Sequence, residues 1–212
     1  MSGVHPAKAR HSGSKYRRVD VSLRQQLKHA TASDHERLEA RLALTSAAVS
    51  LDDYVLYLEC TYGYYAAVEP ILSRSEHLTG LGINTASFAK LDALASDLAF
   101  FGRSPPAAPA AIAYVPGHAA IPELLGCSYV LEGAALGGVV LYRHFQNRFG
   151  VTREKGASFF YGDGRQTASR WAAFVEALDR TGLTSAEEGA CVSAARATFR
   201  CMDAWFAAKG WG

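Results

Sequence analysis

Apolar residues recur at helical spacing along nearly the whole chain. Between residues 21 and 44 the apolar positions are three, four or seven apart, which predicts one face of a long helix. Similar spacing predicts further helices over residues 50–70, 85–101, 121–149, 167–178 and 185–205. No run of alternating apolar residues bounded by turn signals suggests a strand. The predicted fold class is all-α, a single-domain multi-helix bundle.

Polar residues and glycines mark where several of these helices begin and break. Ser50, followed by two aspartates, predicts the start of the second helix. Thr184 or Ser185, followed by two glutamates, predicts a capping arrangement at the start of the last one. The segment FFYGDGRQ interrupts the helical pattern with two glycines, so we expect a break between the fourth and fifth predicted helices.

Composition narrows the class of protein that this bundle could be. The chain has 212 residues, 49% of them hydrophobic, which is ample for a packed core. Its 22 Lys and Arg against 20 Asp and Glu give a formal charge of +2, too balanced for a main partner that is nucleic acid or an anionic membrane. Residues 1–20 are basic and polar, so we expect a flexible tail there and a helical domain over residues 21–212.

We expect no targeting segment, membrane helix or cysteine framework in this sequence. Its start lacks the apolar run of a secretory signal, and no stretch approaches the roughly 20 apolar residues of a membrane helix. We therefore expect a cytoplasmic protein with no membrane partner. The four cysteines are far apart without a CxxC pair, which argues against a zinc site or disulfides. We expect all four to be small core residues: Cys60, Cys127, Cys191 and Cys201.

The first helix carries a histidine that has two interpretations. His35 lies four residues after Thr31 and four before Glu39, so the three side chains share one helix face. A neutral imidazole there could bind a metal through one nitrogen, while Glu39 or a backbone carbonyl accepts a hydrogen bond from the other and fixes the tautomer. The alternative is a surface histidine paired with an acid, which contributes a few tenths of a kcal/mol.

Three glycines interrupt the apolar helical run SYVLEGAALGGVVLY: Gly133, Gly137 and Gly138. Each costs about 0.5 to 1 kcal/mol relative to alanine in a helix, so a compensating role is expected. Gly133 and Gly137 share one face, which is bare enough to approach a flat object closely, and the helix could bend there. The alternative is a close helix crossing, which small residues four apart also permit.

The histidine and the glycines together favour one ligand, heme, because an axial imidazole and a bare helix face would enclose a planar, metal-bearing disc. LKHATASDHERLE, followed about a hundred residues later by YVLEGAALGG, resembles the heme oxygenase family. The likeness covers about residues 20–206. FFYGDGRQTASRWAAF is also similar to the branch that accompanies bacterial phytochromes.

The resemblance implies roles for individual residues. His35 would be the proximal iron ligand and Glu39 its hydrogen-bonding neighbour. Gly133, Gly137 and Gly138 would form a kinked distal helix, close enough to bound O2 to direct oxidation to one edge of the ring. Heme would lie between these two helices and would be both cofactor and substrate.

The resemblance also implies partners for the substrate and for turnover. The two heme propionates need cationic groups, and Lys28, two turns before His35, and Arg170, with Arg165 behind it, are the candidates; the alternative is ordinary solvated charge. The products would be biliverdin, carbon monoxide and ferrous iron. Electrons would come from a separate reductase or ferredoxin, and a bacterial phytochrome could accept the biliverdin.

One position departs from the family pattern and keeps other functions open. Animal enzymes have an aspartate after the first distal glycine, where it anchors the water network that delivers protons; this chain has Ala134. Glu132, on the other side of Gly133, points about 100° away from it and could be structural. The alternatives are a heme carrier or sensor that does not turn over, and a thiamin-salvage hydrolase of the same fold with Cys127 as nucleophile.

Overall fold

The computed structural model describes residues 21–107, 112, 114–116 and 120–211. This part of the chain is helical, without an extended strand. The tail expected over residues 1–20 lies outside the described residues. The helices of the described part are α1 (Leu23–Leu42), α2 (Leu51–Leu72), α3 (Glu76–Gly80), α4 (Leu91–Phe100), α5 (Ile121–Phe149), α6 (Ser158–Tyr161), α7 (Thr167–Asp179) and α8 (Ser185–Ala208).

Five of the six predicted helices lie within a few residues of their expected bounds: α1, α2, α5, α7 and α8. Three of them begin with a capping box, in which the cap hydroxyl and the third residue's side chain each bond the other's backbone N–H. The cap residues are Ser22, Ser50 and Thr184. The predicted start of α2 is confirmed, and of the two candidates for the start of α8 the cap is Thr184.

The prediction of one helix over residues 85–101 is wrong for the first third of that range. A 3-10 turn covers Thr85–Phe88, and α4 starts only at Leu91. The cause is a cap supplied by another helix: the Glu69 carboxylate of α2 accepts the backbone N–H groups of Lys90 and Leu91 at 2.6 and 2.8 Å. The Glu69 carboxylate thus satisfies two N–H groups that lack a partner at the start of a helix, and the new helix α4 begins at Leu91.

The break expected in FFYGDGRQ is confirmed, although a short helix precedes it. Gly162 and Gly164 have φ of +52° and +56°, a left-handed backbone that suits glycine. The one-turn helix α6 before them had no signal in the periodicity. Its first two N–H groups, from Ser158 and Phe159, donate to the carboxylate of Asp97 in α4 at 2.7 and 2.8 Å.

Helix α8 packs along both α1 and α5. At the α5–α8 crossing the backbones approach very closely, since a Cβ added at Gly126 would lie 2.3 Å from the carbonyl oxygen of Cys191. The predicted core role of the cysteines is confirmed, because all four are buried and free. This tight α5–α8 crossing is made by Gly126 and not by the three glycines singled out in the sequence.

The expectation that no stretch of the chain is apolar enough to span a membrane is wrong for helix α5. By length and composition α5 passes that test, but half of its most apolar stretch is buried inside the bundle. Its middle also carries Glu132, whose buried carboxylate pairs with Arg170 of α7. An ion pair to a neighbouring helix is typical of a core helix, because buried charges need partners.

The buried carboxyl of Asp97 should make the free energy of unfolding depend on pH. Burial raises the pKa of this carboxyl to about 6, despite the two N–H groups that bond its ionised form. The folded protein therefore holds this proton more tightly than the unfolded chain, and the contribution to the free energy of unfolding falls as pH rises from about 4 to about 6. We expect Asp97→Asn to remove this slope, worth on the order of 1–3 kcal/mol. Urea titrations at pH 4, 5, 6 and 7 measure it, and parallel curves for the two proteins would refute the assignment.

Candidate functional site

His35 lies on α1 with its ring open to solvent on one side. The side chain is 53% exposed, and Nδ1 lies 3.5 Å from Oε2 of Glu39. The ring meets Phe199 of α8 edge to face, with centroids 5.5 Å apart. Within the described chain, Nε2 has no hydrogen-bond partner. The arrangement leaves one ring nitrogen free to bind a metal while a carboxylate lies beside the other.

Gly133, Gly137 and Gly138 of α5 are not used in a tight helix crossing. A Cβ added at Gly137 would meet nothing within 4 Å, and one at Gly133 would only touch the Trp171 ring at 3.8 Å. At Gly138 the nearest atom would be the carbonyl oxygen of Phe160 at 3.6 Å, an ordinary contact. Of the two interpretations of these glycines, the structure favours the bare face, because their small size is not required by a neighbouring helix.

The histidine helix and the glycine helix are joined through a third helix. In the described part of the chain, α1 and α5 both pack along α8 and not along each other. No group of three or more His, Cys, Asp or Glu residues in the described ranges could hold a metal. Among the described residues, a metal at His35 would therefore not be held by a site of three such side chains.

The two predicted propionate partners have different surroundings. Lys28 is exposed on α1 and forms no ion pair with a described residue. Arg170 is only 12% exposed and donates to the carboxylate of Glu132 at 3.0 Å, with Asp163 as a second partner. The Lys28 ammonium is thus available to a ligand, whereas two carboxylates already engage the Arg170 guanidinium.

Glu132 has the structural role that the sequence left open. Its side chain is 3% exposed and accepts hydrogen bonds from the Ser87 hydroxyl and from Arg170. It therefore ties α5 to α7 and to the 3-10 turn before α4. Burial of an acid inside an apolar helix predicts some partner, but the sequence contains no spacing that would identify Ser87 or Arg170.

A solvent-open cavity of about 400 Å³ lies beside this ion pair. Its lining is polar and consists of Asn84, Ala86, Ser87, Asp163, Gln166, Ser169 and Arg170. His35 and Gly137 do not contribute to it. The cavity is separate from the site that the histidine and the glycines indicate.

Cys127 does not suit the hydrolase alternative. Its side chain is fully buried on α5, and burial raises the pKa of the thiol to about 12. A thiol with that pKa is almost entirely protonated at neutral pH and is a poor nucleophile. The structure therefore favours a core role for Cys127.

The chain is similar to known proteins in sequence and in fold. A sequence model of the heme oxygenase family matches residues 21–208. A search of curated proteins found no match. Among solved structures, the chain is similar to the NO- and CO-bound heme oxygenase of Neisseria meningitidis, with 24% identity over 91% of this chain and 94% of that one and a TM-score of 0.79.

Two other solved structures share the fold. The heme oxygenase of Leptospira interrogans has 20% identity over 89% of this chain and 100% of that one, with a TM-score of 0.67. A heme oxygenase of the cyanobacterium Synechocystis, solved in complex with heme, has 20% identity over 89% and 92%, with a TM-score of 0.69. At these identities the structural likeness shows the fold, and the all-α prediction is confirmed.

Proposed function

The chain belongs to the heme oxygenase family, and from this membership we propose that it cleaves heme oxidatively to biliverdin, with release of carbon monoxide and ferrous iron. Heme is the substrate and, when bound, supplies the iron that activates O2. The observation that carries the proposal is the open face at Gly137 on one helix together with an exposed imidazole at His35 on another. Both groups are accessible, as binding of a flat iron complex requires.

Each residue of the site has a physical role in this proposal. His35 would hold the iron through Nε2, and Glu39, whose carboxylate lies 3.5 Å from Nδ1, would accept from that nitrogen and so keep the ring in one tautomer. Gly133, Gly137 and Gly138 leave the α5 backbone without side chains, so the substrate lies close to the helix. A helix wall this close to the bound substrate would leave O2 little room except toward one edge of the ring.

Cationic groups complete the site by pairing with the two propionates. Lys28 suits this role because it is exposed, two turns before His35 on the same helix. Arg170 is already bonded to Glu132 and Asp163. A guanidinium has five N–H donors, so Arg170 could bind a propionate only by sharing them or by releasing Asp163.

The proposal includes partners on both sides of the reaction. O2 and an external electron donor, a reductase or a ferredoxin, drive turnover in the cytoplasm. A bacterial phytochrome is the proposed acceptor of biliverdin, and the likeness of FFYGDGRQTASRWAAF to phytochrome-associated enzymes supports that choice.

A second candidate function is a heme carrier or sensor without turnover. It is favoured by the lack of a free carboxylate beside the glycines of α5 in the described part of the chain. Ala134 supplies no carboxylate at the position where animal enzymes have an aspartate. The nearby carboxylate of Glu132 is buried and bonded to Ser87 and Arg170. Glu132 therefore does not replace the missing acid at the exposed face.

One titration separates the two functions. Purified protein is titrated with hemin without oxygen, and reductant and air are then added while the absorption spectrum is recorded. We expect a Soret band at one heme per chain, followed by its loss and the appearance of biliverdin absorption. A Soret band that persists in reductant and air would support the carrier, and the lack of any hemin complex would exclude both functions.

A further inference from the structure

Asp34, the residue before the proposed iron ligand, is the most deeply buried acid of α1. Its side chain is 1% exposed and accepts hydrogen bonds from three guanidinium groups. Arg37 donates at 2.9 Å from the same helix, and from α8 Arg196 donates at 2.9 Å and Arg200 at 3.3 Å. A buried carboxylate is costly unless it is paired and hydrogen-bonded, so the two bonds from Arg196 and Arg200 hold α1 to α8 at this point.

The same two turns of α8 also contact the imidazole. Arg196 and Arg200 are one turn apart, and Phe199 lies between them in the sequence. Phe199 meets the His35 ring edge to face at 5.5 Å. The ion pairs at Asp34 and the ring contact at His35 therefore join adjacent residues of α1 to adjacent residues of α8.

Few other contacts hold the imidazole. Glu39 is 68% exposed, and its carboxylate lies 3.5 Å from Nδ1. An exposed pair of this kind is screened by water and fixes a ring only weakly. Asp34 and His35 leave the helix about 100° apart. Any slide or rotation of α1 that breaks the Asp34 pairs would consequently move His35 relative to Phe199.

We infer that Asp34 is a positioning residue for the proximal ligand: its pairs with Arg196 and Arg200 set the register of α1 on α8 and thereby the place of the His35 ring against Phe199. The inference rests on the proposed binding of heme by His35. A bond between helices, and not the local His35–Glu39 pair, thus determines where the iron would be held.

Asp203 offers a matched control. It also bridges the two helices, accepting from Arg37 at 3.0 Å and from Arg41 at 2.5 Å, and is 13% exposed. Both of its donors come from α1, whereas two of the three donors to Asp34 come from the turns of α8 that flank Phe199. Asp34→Asn and Asp203→Asn each remove one inter-helix carboxylate, but only the first should disturb the ring.

The test measures hemin affinity, the EPR spectrum of the ferric complex and thermal stability for the wild-type chain and both variants. We expect Asp34→Asn to weaken hemin binding roughly 10-fold or more, as loss of a group that orients a metal ligand does, and to change the EPR g-values. Asp203→Asn should lower the melting temperature without changing the g-values. If Asp34→Asn does not fold, Arg196→Gln, at a half-exposed donor, should produce a smaller change of the same kind.

The outcomes separate this inference from the proposed function. If the wild-type chain binds no hemin, both are overturned. If it binds hemin through His35 while folded Asp34→Asn or Arg196→Gln keeps wild-type affinity and g-values, the inference alone is overturned. It is likewise overturned if Asp203→Asn changes the spectrum as much as Asp34→Asn.

Discussion

Replacing Gly137 by leucine is expected to leave the fold intact and to weaken heme binding. A Cβ at this position meets nothing within 4 Å, and leucine is a better helix former than glycine by about 1 kcal/mol. Stability should therefore be unchanged or slightly higher. The isobutyl group would occupy space that the substrate needs against α5. Overpacking costs about 1–3 kcal/mol, and a loss of binding free energy of this size corresponds to a roughly 10-fold to 100-fold loss of hemin affinity. Hemin titration and thermal melting measure the two effects together.

Gly189 provides the control for this substitution. It is an exposed helical glycine of α8 whose added Cβ would also meet nothing within 4 Å. Gly189→Leu should show the same small gain in stability and normal hemin affinity. Normal hemin binding by Gly137→Leu would show that the bare face of α5 is not the heme site.

His35→Ala should remove axial ligation and nearly all turnover. The imidazole is exposed and bonded only weakly, so its loss should cost little folding stability. The loss of a ligand should exceed the roughly 10- to 100-fold effect of losing a group that only orients one. We expect a shifted, weakened Soret band and no biliverdin after reductant and air are added. Stopped-flow absorption and the ferric EPR spectrum measure the change.

His29 tests whether the effect is specific. It is exposed on the same helix, six residues earlier and on another face. His29→Ala should behave as the wild type in every measurement. An unaltered Soret band and normal turnover in His35→Ala would mean that another group binds the iron, and the proposed site would then be wrong.

Most of the helices could be predicted from the sequence because their causes are local. The bounds of α5, residues 121–149, follow from apolar spacing and from Gly150, whose φ of +70° ends the helix. The capping residues Ser50 and Thr184 act on the helix that follows them within three residues. Spacing of this range is visible without any knowledge of the tertiary structure.

The starts of α4 and α6 could not be predicted, because a distant side chain supplies each cap. Glu69 is 21 residues before Lys90, and Asp97 is 61 residues before Ser158. A cap on this scale depends on how two helices pack, and no local pattern encodes it. The sequence periodicity therefore merged the turn before α4 with that helix and contained no signal for α6.

The features of the candidate site also fall into two groups: those that local sequence spacing determines and those that depend on how the helices pack. The sequence alone determined the residue types and their spacing on one helix: an imidazole four residues before Glu39, and Gly133 and Gly137 on one face. Only the tertiary structure decided that the tight helix crossing lies at Gly126 and that the surface at Gly137 has no neighbour among the described residues within 4 Å of an added Cβ. It also paired Asp34 with arginines more than 160 residues away, and Glu132 with Arg170. The physical reason is that helical spacing acts over three or four residues, whereas charge pairing and close packing depend on which helices meet.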